Sequence, residues 1–141
     1  MRCWLKSDGL GLALELIPAL ERAGLKARAD AVFGKVFDLH EKKIRDWPRS
    51  SLFRNNVVWL ATLCRRRLDA ALKHATEAVK LKPDDALHIN ALAEVHFLRG
   101  NQAEAVKLMK RCIELDPESE YHRKQLKRFE SGDRTSLPPG Y

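Results

Sequence analysis

Residues 78–86 read AVKLKPDDA and residues 112–120 read CIELDPESE. Both stretches run small residue, β-branched residue, polar residue, leucine, charged residue, proline, acidic residue. Their prolines, Pro83 and Pro117, stand 34 residues apart. Because a proline disfavours the α conformation in the residue before it, each copy predicts the end of a helix. The interval therefore predicts a structural unit that occurs more than once in the chain.

Apolar residues between the two prolines follow the spacing of amphipathic helices. Over residues 86–98 the positions i, i+3, i+4 and i+7 are held by Ile89, Leu92, Ala93 and His96. Residues 99–101, RGN, then predict a turn, and a second stripe follows with Ala105, Leu108, Met109, Cys112 and Ile113. Hairpin-turn pairs and sustained alternation of polar and apolar residues are almost absent, so the sequence predicts an all-α fold built from helical hairpins.

Two segments before residue 86 carry patterns related to that of residues 86–117, whereas two segments after residue 117 have other patterns. Residues 52–83 and 10–48 each predict a hairpin that ends in a proline, although Pro18 either kinks the first helix of the 10–48 unit or marks its start. Residues 118–130 predict a final helix. Residues 131–141 lack periodicity and predict a flexible tail after a single domain over residues 1–130.

The segment 86–117 resembles a tetratricopeptide repeat. The small residues of that family match Ala93 and Ala105, its turn glycine matches Gly100 and its closing proline matches Pro117, whereas a usually large or aromatic position holds His96. The resemblance covers most of residues 10–130. It implies three tetratricopeptide-like hairpins stacked in a right-handed superhelix with a C-terminal capping helix, because one hairpin alone cannot bury its apolar stripe.

Composition limits the classes of function. The chain has 141 residues and a formal net charge of +7, which favours acidic partners in general. Its three cysteines, Cys3, Cys64 and Cys112, are odd in number and include no CxxC pair, which predicts free thiols and a cytoplasmic location. We expect neither a signal peptide nor a membrane span, because no apolar run approaches the roughly 20 residues needed to cross a bilayer.

Catalytic patterns are missing from the sequence. The five histidines are scattered, none pairs with cysteine or aspartate at the spacing of a metal site, and no glycine-rich phosphate loop occurs. We therefore predict no enzyme activity, no metal and no cofactor.

The resemblance implies a concave groove lined by the first helix of each hairpin. Asparagine is a poor residue for a helix interior, but its amide can both donate to and accept from a peptide backbone. An alternative for two of the asparagines, Asn55 and Asn56, is that they only cap the start of a helix. The predicted partner-binding residues are Asn55, Asn56, Trp59, Asn90, Glu94, Lys124 and Arg128.

Some relatives hold a C-terminal carboxylate with a clamp of lysine, asparagine and arginine side chains. At the matching positions this chain has Leu14 and Pro18 in the first unit and Leu87 and Ala91 in the third, with only Asn56 in place. The resemblance therefore does not imply recognition of a carboxyl-terminal tail.

The sequence thus predicts a non-catalytic protein–protein interaction module that binds a peptide or protein segment. One alternative is binding of RNA or another polyanion through residues 65–67 and 122–128, which are rich in arginine and lysine. Another is self-association, in which Trp4 and Leu5 dock on a second copy or on further repeats of a larger repeat protein.

Overall fold

The computed structural model describes residues 9–141, and over that range the chain forms seven α-helices and no β-strand. The self-association residues Trp4 and Leu5, and the thiol of Cys3, lie outside the described residues. The helices are α1 (Leu10–Arg22), α2 (Lys26–Asp46), α3 (Ser51–Cys64), α4 (Leu68–Leu81), α5 (Ala86–Leu98), α6 (Gln102–Leu115) and α7 (Glu120–Ser131).

The first six helices form three hairpins, each joined by a three-residue turn. The first helix of each hairpin contacts the first helix of the next, so α1, α3 and α5 lie side by side and form an inner layer. The second helix of each hairpin also packs on the first helix of the next, and α7 packs on α6. The predicted all-helical array of stacked hairpins is confirmed.

Local sequence explains where several helices begin. The side chains of Ser50, Asp85 and Ser119 each accept a hydrogen bond from a backbone N–H in the first turn of α3, α5 and α7, which is the usual role of these residue types. Pro18 lies inside α1, which begins at Leu10, so the proline does not mark the start of that helix.

Small residues allow the helices to pack closely. Ala71 on α4 and Ala105 on α6 have no exposed surface, and neither has Ala93 on α5. Around these alanines, Phe97, Met109 and Phe129 fill the core between the last hairpin and α7. The alanines therefore stand where the repeat pattern requires a side chain no larger than a methyl group.

We expect Ala105→Leu to lower the free energy of unfolding by about 1–3 kcal/mol, because the extra atoms have no space between α5 and α6. Urea denaturation followed by circular dichroism measures the change. The matched control is Ala103→Leu, which places the same side chain on the exposed face of the same helix and should alter stability by less than about 0.5 kcal/mol. Equal effects of the two substitutions would contradict the packing described.

Candidate functional site

The predicted site residues lie on three helices. Asn55, Asn56 and Trp59 belong to α3, Asn90 and Glu94 to α5, and Lys124 and Arg128 to α7. All are buried except Lys124, whose exposed ammonium pairs with Glu120 at 3.2 Å. Burial is deepest for Asn90 and Glu94, which are each 1% exposed.

Glu94 and Arg128 form a buried ion pair between α5 and α7. The two terminal guanidinium nitrogens of Arg128 donate to the two carboxylate oxygens of Glu94 at 2.7 and 2.9 Å. The guanidinium also lies over the rings of Phe97 and Phe129, at 4.9 and 5.5 Å from their centroids. A bidentate pair of this kind fixes both direction and distance, so it sets the position of α7.

Three further side chains complete a group that we call the Glu94–Arg128 network. Gln125 donates from Nε2 to Glu94 at 2.8 Å and to Asn90 Oδ1 at 3.2 Å, and Asn90 Nδ2 donates to the hydroxyl of Tyr121 at 3.3 Å. Burial raises the pKa of the Tyr121 phenol, so it stays protonated. The network therefore joins Asn90, Glu94, Tyr121, Gln125 and Arg128. It includes three of the seven predicted site residues: Glu94 and Arg128 bond directly, and Gln125 links Asn90 to Glu94.

The C-terminal segment 133–141, which we call the tail, packs against this network and against α3. Arg128 donates from Nε to Ser136 Oγ at 2.9 Å and from Nη2 to the Ser136 carbonyl at 2.8 Å. Arg65 donates to the carbonyls of Arg134 and Ser136. The ring of Tyr141 stacks on Trp59, with centroids 6.4 Å apart and planes at 15°. The sequence predicts a flexible tail here. Because the tail sequence has no periodicity, it gave no indication of the contacts that Ser136 makes with Arg65 or that Tyr141 makes with Trp59.

Three polar atoms of α3 are buried without a hydrogen-bond partner among the described residues: Arg54 Nε, Asn55 Oδ1 and Trp59 Nε1. The other two guanidinium nitrogens of Arg54 bond to His74 and to the Pro48 carbonyl, whereas Asn55 and Trp59 are both 4% exposed. Positions 55 and 59 are one turn apart, so the two side chains share a face of the helix. Since Ser50 caps α3, Asn55 and Asn56 lie inside the helix, and the capping alternative is wrong.

A cavity of about 770 Å³ opens beside the tail. Its apolar wall includes Leu14, Pro18 and Leu63, and the tail residues Leu137 and Tyr141 form another side. Leu14 and Pro18, which occupy the positions that the family resemblance matches to the clamp, supply apolar side chains here, and charged residues that include Glu15, Arg22 and Arg65 line the rest of the cavity. Cys64 also lines the cavity, and burial raises the pKa of its thiol to about 11, which keeps it protonated and a poor nucleophile.

The arginines proposed for polyanion binding have partners within the domain. Arg66 contacts Glu21 and Asp30 of the first hairpin at 2.7 and 2.8 Å, and its hydrogen bond lowers the pKa of the Asp30 carboxyl. The guanidinium of Arg67 lies 5.1 Å from the centroid of Phe37. The turn at residues 65–67 therefore connects repeats and tail.

Within residues 9–141, no three histidine, cysteine, aspartate or glutamate side chains come together in the geometry of a metal site. The helices of the same range also include none that is long and apolar enough to cross a membrane.

His88, in the first turn of α5, makes the free energy of unfolding depend on pH. Its side chain is buried, and burial lowers its pKa, although the Asp85 carboxylate 3.7 Å away acts in the opposite direction. The unfolded chain therefore binds this proton more readily than the folded chain. This contribution to stability is complete above the ordinary pKa of about 6.5 and is lost as the pH falls below it.

We expect His88→Gln to reduce the loss of unfolding free energy between about pH 7 and about pH 5, since glutamine does not titrate in that range. Urea denaturation at the two pH values measures the loss for each chain. If both chains lose the same free energy, His88 is not the group responsible.

We expect Arg128→Met to destabilise the domain by about 3–5 kcal/mol, because it leaves the Glu94 carboxylate buried and unpaired. Adding Glu94→Leu to that variant should restore part of the loss, which a double-mutant cycle of urea denaturation measures. Lys127→Met is the matched control, an exposed position on the same helix. A Glu94→Leu change that makes Arg128→Met worse would show that the carboxylate has other essential partners.

Comparison with known proteins supports the fold, and the sequence matches cover part of the chain. No family model matches the sequence. The chain is 34% identical to the human protein SGT1 homolog over 86 residues, and 40% identical to the Bos taurus protein SGT1 homolog over 65 residues. These matches cover 51% and 39% of this chain but only 24% and 19% of those proteins, so the chain spans at most about a quarter of the relatives' length.

Two solved structures share the arrangement of helices. The first tetratricopeptide domain of Spaghetti (RPAP3), bound to the HSP90 peptide SRMEEVD, superposes with a TM-score of 0.64 at 17% identity, covering 82% of this chain and 90% of that one. A mutant O-GlcNAc transferase of Thermobaculum terrenum superposes with a TM-score of 0.58 at 18% identity, covering 84% of this chain and 21% of that one. The predicted resemblance is thus confirmed at the level of structure: the chain has the fold of tetratricopeptide repeat domains.

Proposed function

We propose that this chain is a non-catalytic interaction domain that holds a peptide or protein segment on the inner layer formed by α1, α3 and α5. The observation that carries the proposal is the pair of buried, unpaired polar atoms Asn55 Oδ1 and Trp59 Nε1 on α3. A buried polar atom without a partner costs about 1–3 kcal/mol, and a peptide backbone offers both the donor and the acceptor that these atoms need.

One structural neighbour supports the same class of ligand. The Spaghetti domain, which matches 82% of this chain, is bound to an HSP90 peptide. In this chain the first-hairpin end of the groove presents the apolar side chains of Leu14 and Pro18 beside charged ones. We therefore propose that the bound segment places apolar side chains at that end, and that its carboxyl terminus is not what the groove recognises.

The predicted site residues divide into two roles under this proposal. Asn55, Asn56 and Trp59 contact the partner directly. Asn90, Glu94 and Arg128 act as positioning residues, because the Glu94–Arg128 pair and the bonds from Gln125 to Asn90 and Glu94 hold α7 against α5. Lys124 stays exposed on α7, where its ammonium can meet an anionic group of the partner.

We also propose a cytoplasmic location. The cysteines Cys64 and Cys112 are both free and buried, and burial raises the pKa of Cys112 to about 12. Thiols of this kind serve as small apolar side chains in a reducing compartment.

Selection from a random peptide library displayed on phage tests the proposed function, with the full chain as bait. We expect the selected peptides to be enriched in apolar and aromatic residues and to bind with micromolar affinity in fluorescence anisotropy. Asn55→Ala and Trp59→Leu should each weaken binding at least about tenfold, which corresponds to the loss of about 1.4 kcal/mol.

Trp47→Leu serves as the matched control, because Trp47 is an exposed tryptophan, 66% accessible, after the end of α2. It should leave peptide binding unchanged. Selected peptides that bind the control and the two groove variants equally would place the interaction elsewhere. Retention of RNA that collapses when the salt concentration is raised, without any selected peptide, would favour the polyanion alternative.

A further inference from the structure

The inner face of the array already holds a segment of the chain itself. Two arginines from different elements, Arg65 after α3 and Arg128 on α7, both donate to the carbonyl of Ser136. Arg65 donates to the Arg134 carbonyl as well. Side chains that bond to nearby main-chain carbonyls recognise a backbone and do not require a particular sequence, which is how a groove holds a peptide.

The end of the tail is a preformed turn that presents an aromatic ring. The N–H of Tyr141 donates to the carbonyl of Pro138 at 3.2 Å, and Gly140 has a φ of +91°. Proline at the second position and glycine with positive φ at the third are typical of a type II turn. Pro138 is buried and the Tyr141 ring stacks on Trp59, so this turn is the part of the tail that reaches α3.

The tail fills the groove incompletely. It leaves Asn55 Oδ1 and Trp59 Nε1 without partners among residues 9–141, although the Tyr141 ring stacks on Trp59. Leu137 remains 50% exposed at the edge of the 770 Å³ cavity. A segment that kept the stacked ring and also offered a donor to Asn55 and a carbonyl to Trp59 would make contacts that the tail lacks.

We propose that the tail, residues 133–141, is a resident ligand of the groove. The external partner of the groove is then a segment of the same chemistry, a proline–glycine turn followed by an aromatic residue, which displaces the tail. This inference rests on the proposed function for its external partner, whereas occupancy by the tail stands on the contacts of Arg65, Arg128 and Trp59. The tail then competes with every partner for one surface.

Competition by the tail changes the apparent affinity of an external segment by a measurable factor. When only a fraction of the molecules has an open groove, the apparent dissociation constant rises by the inverse of that fraction. A covalently attached segment competes at an effective concentration in the millimolar range. Removing one anchor of the tail should therefore strengthen binding of an external segment, whereas removal of an ordinary stabilising contact would weaken it or leave it unchanged.

The test uses the full chain and a synthetic peptide of residues 133–141, DRTSLPPGY, titrated to millimolar concentration. Nitrogen-15 NMR follows the indole N–H signal of Trp59, which is assigned by its absence from the spectrum of Trp59→Leu. We expect Tyr141→Ala to shift this signal in the free protein, because the ring stacked on Trp59 is gone. The same variant should bind the peptide at least about tenfold more tightly than the unaltered chain.

Two controls separate displacement from other causes. A peptide with alanine in place of its tyrosine should bind the Tyr141→Ala chain at least about tenfold more weakly than DRTSLPPGY, as expected if the ring is the anchor. Trp47→Leu should leave both the Trp59 signal and the affinity unchanged. Neither control alters the core of the domain.

Equal affinity of the peptide for the unaltered and Tyr141→Ala chains, or a Trp59 signal that does not move between them, would overturn the proposal. The outcome is distinguishable from failure of the proposed function. If Tyr141→Ala shifts the Trp59 signal and opens the groove to DRTSLPPGY while the phage library yields no groove-binding peptide, the tail is a resident ligand but the wider interaction role fails. If library peptides bind both chains equally, the wider role stands and the tail does not compete.

Discussion

The buried carboxylate of Glu94 constrains the C-terminal half of the domain. Transfer of an ionised carboxylate into the protein interior costs several kcal/mol, which is offset only when a cation and further donors surround it in good geometry. Here Arg128 supplies two donors and Gln125 a third. All three side chains must therefore be in place together, and α7 can occupy only the position on α5 that brings Arg128 and Gln125 to Glu94.

The same guanidinium links the fold to the groove. After its two bonds to Glu94, Arg128 still has donors available, and these hold the carbonyl and hydroxyl of Ser136. Arg65, from the turn between α3 and α4, holds the tail from the other side. The tail is thereby fixed at Ser136, which brings Tyr141 to Trp59 five residues later. An interaction that closes the helical array thus also determines what covers its inner face.

Sequence analysis could predict the array because the array depends on local and periodic features. The 34-residue interval between Pro83 and Pro117, the alanines at the helix crossings and Gly100 in the turn each act over a few residues, and the structure has a helical hairpin wherever they predict one.

The site depends on contacts between residues far apart in the chain. The predicted asparagine row illustrates this, because Asn55 has an unpaired oxygen whereas Asn90 bonds to Tyr121 and Gln125 of a distant helix. Helix position alone gives the two residues the same role, and only the docking of α7 separates them. The contacts of the tail were harder still to predict, because a segment without periodicity gives no signal for them.

The distribution of charge also follows from these contacts. A formal net charge of +7 favours a polyanion when the arginines are taken as a surface feature. Arg66, however, bonds to two carboxylates of the first hairpin. Arg65 bonds to the tail, and Arg128 bonds to both the tail and Glu94. Arginine is suited to such places because its planar fork can hold a carboxylate or carbonyl in a fixed direction and stack on an aromatic ring at the same time. Arg65 and Arg128 thus act as donors to main-chain carbonyls of the tail, and that chemistry supports the proposal that this surface binds a peptide segment.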